Sequence, residues 1–469
     1  MAAFLKIGVT MATGISKKQS QCEAASNFSE TQLNNSLDAC FSYAGKVPAS
    51  EVLDTNQVEC VKLWSSNEQL SLANENRLYY GDNLPILASL LKDSSVKGKV
   101  RLIYIDPPFA TKSVFESRSQ TKAYSDLLGG NSYIEFIRQR LILLRELLAD
   151  DGSIYVHLDD KMAFYIKVIM DEIFGQRNFR NWITRKKCNP KNYTKKTYGN
   201  VSDFILFYSK SDTYVWNRPV EEWTDKRANK EYEYIEKETG RRYKKVPIHA
   251  PGVRNGETGK SWRGMNPPPG KHWQFPPQTL DEMDARGEIY WSATGNPRRK
   301  IYLDSSSGIP VQDIWLEFRD AHNQNIKITG YPTEKNRDLV SRIIRASSNP
   351  DDLVLDCFAG SGTTLSVASE FGRRWIGIDN SSEAISTTLR RFAKGCERMG
   401  DFVSQQTSLH QNPSDDESRQ LSLFNLGESI FQAESPLEKS EMINNFGLYA
   451  TDSFAGDLEN IVRQWIEWQ

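Results

Sequence analysis

The stretch Asp352-Leu353-Val354-Leu355-Asp356-Cys357-Phe358-Ala359-Gly360-Ser361-Gly362-Thr363-Thr364 joins a short apolar run to an acid, a Gly-x-Gly turn and two threonines. The run reads as a buried strand and the residues up to about Phe371 as a helix, so the glycines sit at a strand-to-helix turn. Such a turn brings backbone N–H groups and a helix N-terminus close to a ligand. The next strand, Trp375 to Ile378, ends at Asp379, placed to accept hydrogen bonds from ribose hydroxyls. A dinucleotide site would want a third glycine where Leu365 stands, and a triphosphate loop would want Lys where Thr363 stands. Neither pyrophosphate nor triphosphate is favoured. A nucleoside with a compact zwitterionic tail fits better, and S-adenosylmethionine is one: its ammonium suits Asp356 and its carboxylate suits the helix N-terminus.

Working outward, strands and helices alternate. Leu78 to Tyr80 reads as a strand running into Gly81-Asp82-Asn83, followed by helical spacing from Leu84 to Leu91. Val100 to Ile105 is a buried strand halted by Asp106-Pro107-Pro108-Phe109, since two prolines cannot continue a central strand. A helix over Ile134–Leu148, a strand over Gly152–His157, a helix from Lys161 to Phe174 stopped by Gly175, and a strand over Asp203–Tyr208 follow. About a hundred residues rich in Pro, Gly, Trp and Tyr then show no long amphipathic helix, and the alternation resumes with helices over Glu334–Ala346 and Glu383–Lys394. The pattern predicts an α/β fold with a largely parallel sheet and an inserted module. The expected divisions are an accessory segment 1–75, a first half 76–184, an insert 185–330, a second half 331–398 and an acidic, mobile tail 399–469.

Composition narrows the class. The chain has 469 residues, 39% hydrophobic and 25% charged, with a net charge of −1, which excludes disordered, collagenous and membrane chains. The neutrality is uneven: Arg185 to Lys260 carries 18 basic and 10 acidic residues, whereas Asp401 to Gln469 carries 3 basic and 12 acidic. The basic segment suggests a polyanionic partner. The six cysteines form no Cys-x-x-Cys pair, so free thiols in a reducing compartment are expected and no metal is implied. No apolar run reaches 18 residues, and a cytoplasmic protein without membrane attachment is expected.

Asp106-Pro107-Pro108-Phe109 stands at the carboxyl end of a buried strand, where open α/β sheets place ligands. A carboxylate, a stiffened carbonyl and an aromatic face together suit a flat heterocycle with an exocyclic amine. Asp106 and the Pro107 carbonyl would accept the amine hydrogens, and Phe109 would stack on the ring.

These motifs, together with Ile376-Gly377-Ile378-Asp379, Gly81-Asp82-Asn83 and Tyr331-Pro332-Thr333-Glu334-Lys335, resemble the β-class of amino-group DNA methyltransferases. The resemblance runs from about Leu78 to Lys394 and is closest to the modification enzymes of type II and type III restriction systems. It implies a Rossmann-like methyltransferase fold, permuted so that the catalytic motif precedes the cofactor motif, with S-adenosylmethionine as cofactor. By position, Asp356, Phe358, Gly360, Ser361, Gly362, Thr363 and Thr364 match the cofactor loop, and Asp379 matches the ribose acid. Thr333 and Lys335 match a segment near the methionine end, and Asp82 lies near the adenine or the catalytic loop. Cys357 stands where the family often has Pro, and Asn336 follows Lys335 where it often has Pro.

The resemblance further implies that a base in duplex DNA is flipped into the pocket. Adenine N6 is the expected acceptor, because the family's cytosine enzymes more often carry Ser in place of Asp106; N4 of cytosine is the alternative. A DNA-binding specificity subunit without activity is a second alternative, and an RNA substrate a third. The insert, about Arg185 to Phe318, is the expected target-recognition region. Its candidate phosphate contacts are Arg185-Lys186-Lys187, Lys195-Lys196, Arg241-Arg242 and Lys244-Lys245, interleaved with Tyr193, Tyr198, Trp262 and Trp273. Gln420-Leu421-Ser422-Leu423-Phe424 looks like a sliding-clamp docking peptide or else an ordinary amphipathic patch. A restriction nuclease and a second copy of the chain complete the expected partners.

Overall fold

The computed structural model describes residues 41–66, 74–108, 114–116, 122–125, 130–189, 196–320, 327–329, 331, 334–398, 445–455 and 459–468. Contacts divide the chain into two compact units. The first contains a ten-stranded sheet built from β1 (Cys60–Ser65), β2 (Asn76–Tyr80), β3 (Val100–Ile105), β4 (Leu148–Leu158), β5 (Phe179–Lys186), β6 (Ser202–Ser209), β7 (Ile314–Trp315), β8 (Leu353–Asp356), β9 (Arg374–Asp379) and β10 (Phe446–Thr451). The spatial order is β1-β10-β2-β9-β8-β3-β4-β6-β5-β7. From β10 to β4 all neighbours run parallel; β1 at one edge is antiparallel to β10, β6 is antiparallel to both β4 and β5, and β7 at the other edge is parallel to β5. β8 is buried along its whole length and β3 at every position but Arg101, as their unbroken apolar runs require of strands covered on both faces.

The permutation is visible in this order. β8 and β9, late in the sequence, lie between the early strands β2 and β3, which brings the ends of β3 and β8 side by side. Helix Ala163–Phe174 ends where expected, with Gly175 at φ +87° donating its N–H to the Asp171 carbonyl. The helix expected from Glu334 begins later, at Arg337. Asn336 caps it, its side chain accepting from the N–H groups of Asp338 (2.8 Å) and Leu339 (3.3 Å), a bond a proline could not make.

Three expectations require correction. The tail 399–469 is not uniformly mobile: Phe446–Thr451 is a fully buried strand inside the sheet, and Glu459–Trp468 is a helix. Its acidic average hid a six-residue apolar strand, Phe446-Gly447-Leu448-Tyr449-Ala450-Thr451. The ring of Phe446 packs against Trp64, Trp375, Phe392 and Trp465, with centroids 5.1–5.8 Å apart. The segment 1–75 is likewise not merely accessory, because its β1 pairs with β10. The second compact unit, among the described residues, is Arg218–Val311, narrower than 185–330. β5, with Arg185, and β6 belong to the sheet instead.

The second unit is built around a four-stranded antiparallel sheet in the order Tyr234–Ile235, Arg242–Pro247, Pro297–Tyr302, Ile289–Trp291. Its own core contains Ile248, Trp262, Trp273, Leu280, Met283 and Ile289. Among the described residues no helix is long and apolar enough to cross a membrane. Gln420–Phe424, Tyr193 and Lys195 lie outside the described residues.

Candidate active site

At the carboxyl ends of β2, β3, β8 and β9 lies a cavity of about 440 Å³. It is lined by Asp82, Asp106, Pro107, Pro108, Lys335, Asp356, Phe358, Gly360, Ser361, Thr363, Thr364 and Asp379, so residues far apart in sequence converge on it. Gly362 is not among the lining residues, and Phe109 and Thr333 lie outside the described residues.

Asp106 follows the last residue of β3. Its Oδ2 accepts the Lys335 ammonium at 2.5 Å, while Oδ1 is buried without a hydrogen-bond partner. A buried carboxylate oxygen with nothing to accept is costly unless a ligand supplies a donor. The oxygen therefore fits an N–H group entering the cavity.

On the β8 side, Gly360 (φ +51°) and Gly362 (φ +72°) hold the left-handed backbone that the turn demands. A Cβ on Gly362 would lie 2.7 Å from Thr388, so glycine is required there twice over. Asp356 is buried at the end of β8, accepting from the Phe358 N–H at 3.0 Å. Burial pushes its carboxyl up to about 7, reinforced by Asp106 and Asp379 and opposed by hydrogen bonds from Thr364 and Phe358. Asp379 accepts the Gly360 N–H at 2.8 Å and the Ser381 N–H at 2.9 Å, which ties the glycine turn to the end of β9. Burial raises its carboxyl as well, against these backbone donors. With the Asn380 N–H as a third backbone donor, the carboxylate still has acceptor capacity for a further donor.

The sequence reading missed a set of residues that hold this arrangement. Arg391, on helix Ser382–Lys394, donates to the Ser361 carbonyl (2.7 Å) and to the hydroxyls of Ser361 and Thr363 (both 3.1 Å), and forms a buried ion pair with Glu334. The two hydroxyls expected to meet a cofactor are thus also braced by a guanidinium. Arg140, on helix Asn131–Leu147, donates to Asn83 Oδ1 (2.5 Å) and Asp82 Oδ1 (3.0 Å) and stacks 3.5 Å over the Phe136 ring. Burial draws its pKa down to about 10. Asn83 in turn donates to the Cys357 carbonyl at 2.7 Å, which fixes the backbone where the family often has proline. Phe454, from the segment after β10, supplies a further wall of the cavity.

Several insert candidates are otherwise employed. Arg185 is fully buried and paired with Asp203 and Asp320, so it is not a phosphate contact. Trp262 and Trp273 are core residues of the second unit whose indole N–H groups are bonded to Asp281 and to the Lys260 carbonyl, so they are not base readers. Arg241 pairs with Asp304 and Lys244 with Glu231. Lys186, Lys187 and Lys196 are partly or fully exposed, as is Tyr198. Lys245 is held 3.5 Å from the centroids of both Tyr234 and Tyr290.

With an amine acceptor, a nucleoside-sized cavity and a glycine turn in one place, the site has the parts of an amino-group methyltransferase. A DNA methylase family model matches residues 100–390, and the chain belongs to that N6/N4 DNA methylase family. It is 46% identical over 411 residues to the type II methyltransferase M.EcaI of Enterobacter cloacae, spanning 86% of this chain and 88% of that one. It is 28% identical over 333 residues to the StyLTI Mod subunit, a type III restriction-modification enzyme of Salmonella typhimurium, covering 62% of this chain and 49% of that one. Its similarity to the solved cytosine-N4-specific PvuII DNA methyltransferase (15% identity, TM-score 0.39, 77% of this chain and 94% of that one) is too slight to bear on the base methylated.

Proposed function

We propose that this chain is a restriction-modification DNA methyltransferase that moves a methyl group from S-adenosylmethionine to the N6 amine of an adenine flipped out of duplex DNA. The observation that carries the reading is the partnerless Oδ1 of Asp106 in the same cavity as the glycine turn and Asp379. Asp356 and Asp379 suit the ammonium and ribose hydroxyls of the cofactor, with Gly360 and the Ser361–Thr364 hydroxyl groups around them. Bound there, the cofactor supplies an already activated methyl group on a sulfonium, so the chain needs no nucleophile of its own.

What the chain supplies is position and charge. Asp106 Oδ1 and the Pro107 carbonyl accept the amine hydrogens and turn the nitrogen lone pair toward the methyl group. Phe109 replaces the stacking the base loses on leaving the helix. Asp106 takes the proton that leaves the amine, or passes it to water. The second unit reads the target, and the remaining phosphate contacts are Lys245 on that unit and Lys186, Lys187 and Lys196 on the first. A partner nuclease acts on unmethylated sites.

Nucleoside mass spectrometry of DNA from a methylation-deficient host expressing the chain tests this directly. N6-methyladenine with the wild type and none with Asp106→Ala is expected. N4-methylcytosine would overturn the base, and the absence of any methylated base would overturn the activity.

A further inference from the structure

The carboxyl ends of the central strands present their acids in a row. Asp106 follows β3, Asp356 ends β8 and Asp379 ends β9, on neighbouring strands spaced about 4.8 Å apart. Continuing away from Asp106, the next two strands are β2 and β10. The cavity extends to that side, where Phe454 is one of its lining residues. Phe454 comes from well beyond residues 100–390, which the DNA methylase family model matches.

The register of β10 brings Phe454 there. β10 runs parallel to β2 with Ala450 opposite Tyr80, so Thr451 reaches the level of Gly81. A Cβ on Gly81 would lie 2.9 Å from the Thr451 side chain, which shows how closely the end of β10 approaches the turn after β2. The chain then enters the short helix Asp452–Ala455, and the Phe454 ring rests against that of Tyr80, with centroids 4.9 Å apart and planes at 72°. Tyr80 is buried and, on its other side, pairs with Asp379. One strand therefore separates the ring from the ribose acid. Phe454 itself is half-buried, and apolar ring surface left on a cavity wall gains from being covered by a flat ligand.

We propose that Phe454 is a binding residue for the adenine of S-adenosylmethionine, so that the strand and helix at the end of the chain complete a cofactor pocket that the motif-bearing strands begin. The assignment rests on the placement of the cofactor's ammonium at Asp356 and its ribose at Asp379. A ligand anchored in that order already runs away from Asp106, and the group on the far side of its ribose is the adenine. The ends of β2 and β10 are what remains for that group to meet, with the polar side chains of Asn380 and Ser381 in the same lining. Contact between a base and an aromatic side chain is worth about 5- to 150-fold in affinity when the ring is cut back to alanine.

The test uses the full chain and isothermal titration with two ligands that share the adenosine, S-adenosylhomocysteine and 5′-methylthioadenosine. Wild type, Phe454→Ala, Phe454→Leu, Phe454→Tyr and Asp379→Asn are compared, and melting of the ligand-free proteins is followed alongside. Phe454→Ala is expected to lose at least about fivefold in affinity, equally for both ligands. Phe454→Leu, apolar but without a ring, should fall between, and Phe454→Tyr should stay within about threefold of wild type. In methyl transfer the loss should appear in the KM for S-adenosylmethionine and not in the KM for DNA.

An unchanged affinity in Phe454→Ala would overturn the assignment. So would a loss confined to S-adenosylhomocysteine, which would put the ring at the amino-acid end, or a loss confined to the KM for DNA, which would put it against the target base. Should Phe454→Ala fail to fold, Phe454→Leu and Phe454→Tyr decide the matter, and equal affinities in the two would overturn the role of the ring. A wild type that binds neither ligand, or an Asp379→Asn variant that binds both as the wild type does, signals failure of the cofactor placement and removes this inference with it. Weakened binding in Asp379→Asn with Phe454→Ala unchanged overturns the role of Phe454 alone.

Discussion

Cofactor affinity should depend on pH through Asp356. In the empty protein burial raises this carboxyl to about 7, so near pH 5.5 it is about 97% protonated and near pH 7.5 about 25%. A cationic ligand tail is held by the ionised form, so below the raised value each binding event must first remove a proton. For a group titrating near 7 the affinity then rises about 25-fold from about pH 5.5 to about pH 7.5 and levels off above. The sign for the empty protein is opposite: a raised folded pKa contributes stability at low pH that is lost as pH climbs from about 4 through about 7. Isothermal titration with S-adenosylhomocysteine, whose amine stays protonated over this range, measures the slope, and Asp356→Asn supplies the reference. A wild-type affinity flat with pH, or an equal slope in Asp356→Asn, would refute the assignment of the ammonium to Asp356.

Three further outcomes concern the scaffold of the site. Arg140→Met removes the donors to Asp82 and Asn83 while keeping the stem over Phe136, and is expected to lower unfolding free energy by about 1–3 kcal/mol in urea titrations. Gly362→Ala combines a left-handed backbone with a collision against Thr388 and should cost about 2–4 kcal/mol, whereas Gly287→Ala, at φ +74° with open space around it, should cost only about 1–2 kcal/mol. Phe446→Ala empties the centre of the ring of Trp64, Trp375, Phe392 and Trp465, and a loss of about 3–5 kcal/mol is expected by calorimetry or chemical denaturation.

The parts of the fold with local signals were legible in the sequence. The apolar runs of β3, β8 and β9, the halting prolines at 107 and 108, and the Gly175 helix stop all depend on neighbours in the chain, and the parallel sheet follows from their alternation. β1, β5 and β10 were not legible, because each draws its stability from a partner distant in sequence and sits in a stretch of polar or charged average composition. The convergence of the Asp106 and Gly-x-Gly segments on one cavity was anticipated from motifs; the bracing by Arg140 and Arg391 was not. An arginine on an amphipathic helix looks like a solvated charge until the fold closes over it. Arg185 shows the same blindness in reverse: within Arg185-Lys186-Lys187 nothing local distinguishes the buried member from its exposed neighbours, and only the register against Asp203 does. Leu365, read as a missing third glycine, has its own compensation: Gly377 on β9 leaves the space that the leucine fills.

The position of β10 between β1 and β2 has a consequence for how the molecule is made. Asn76 on β2 pairs with Phe446 on β10, so the β2 edge stands with bare peptide groups and uncovered aromatic rings until nearly four hundred further residues have left the ribosome. Contacts of such long sequence separation slow folding, and an unsealed edge invites pairing with other chains. Phe454 lies three residues beyond the end of that strand, in the short helix Asp452–Ala455, so the event that seals the sheet also completes the cavity wall. Synthesis of the polypeptide and the onset of its chemistry are thereby coupled: a nascent chain that has already exposed Asp106 and the glycine turn is still waiting for both its last sheet partner and the side of its pocket.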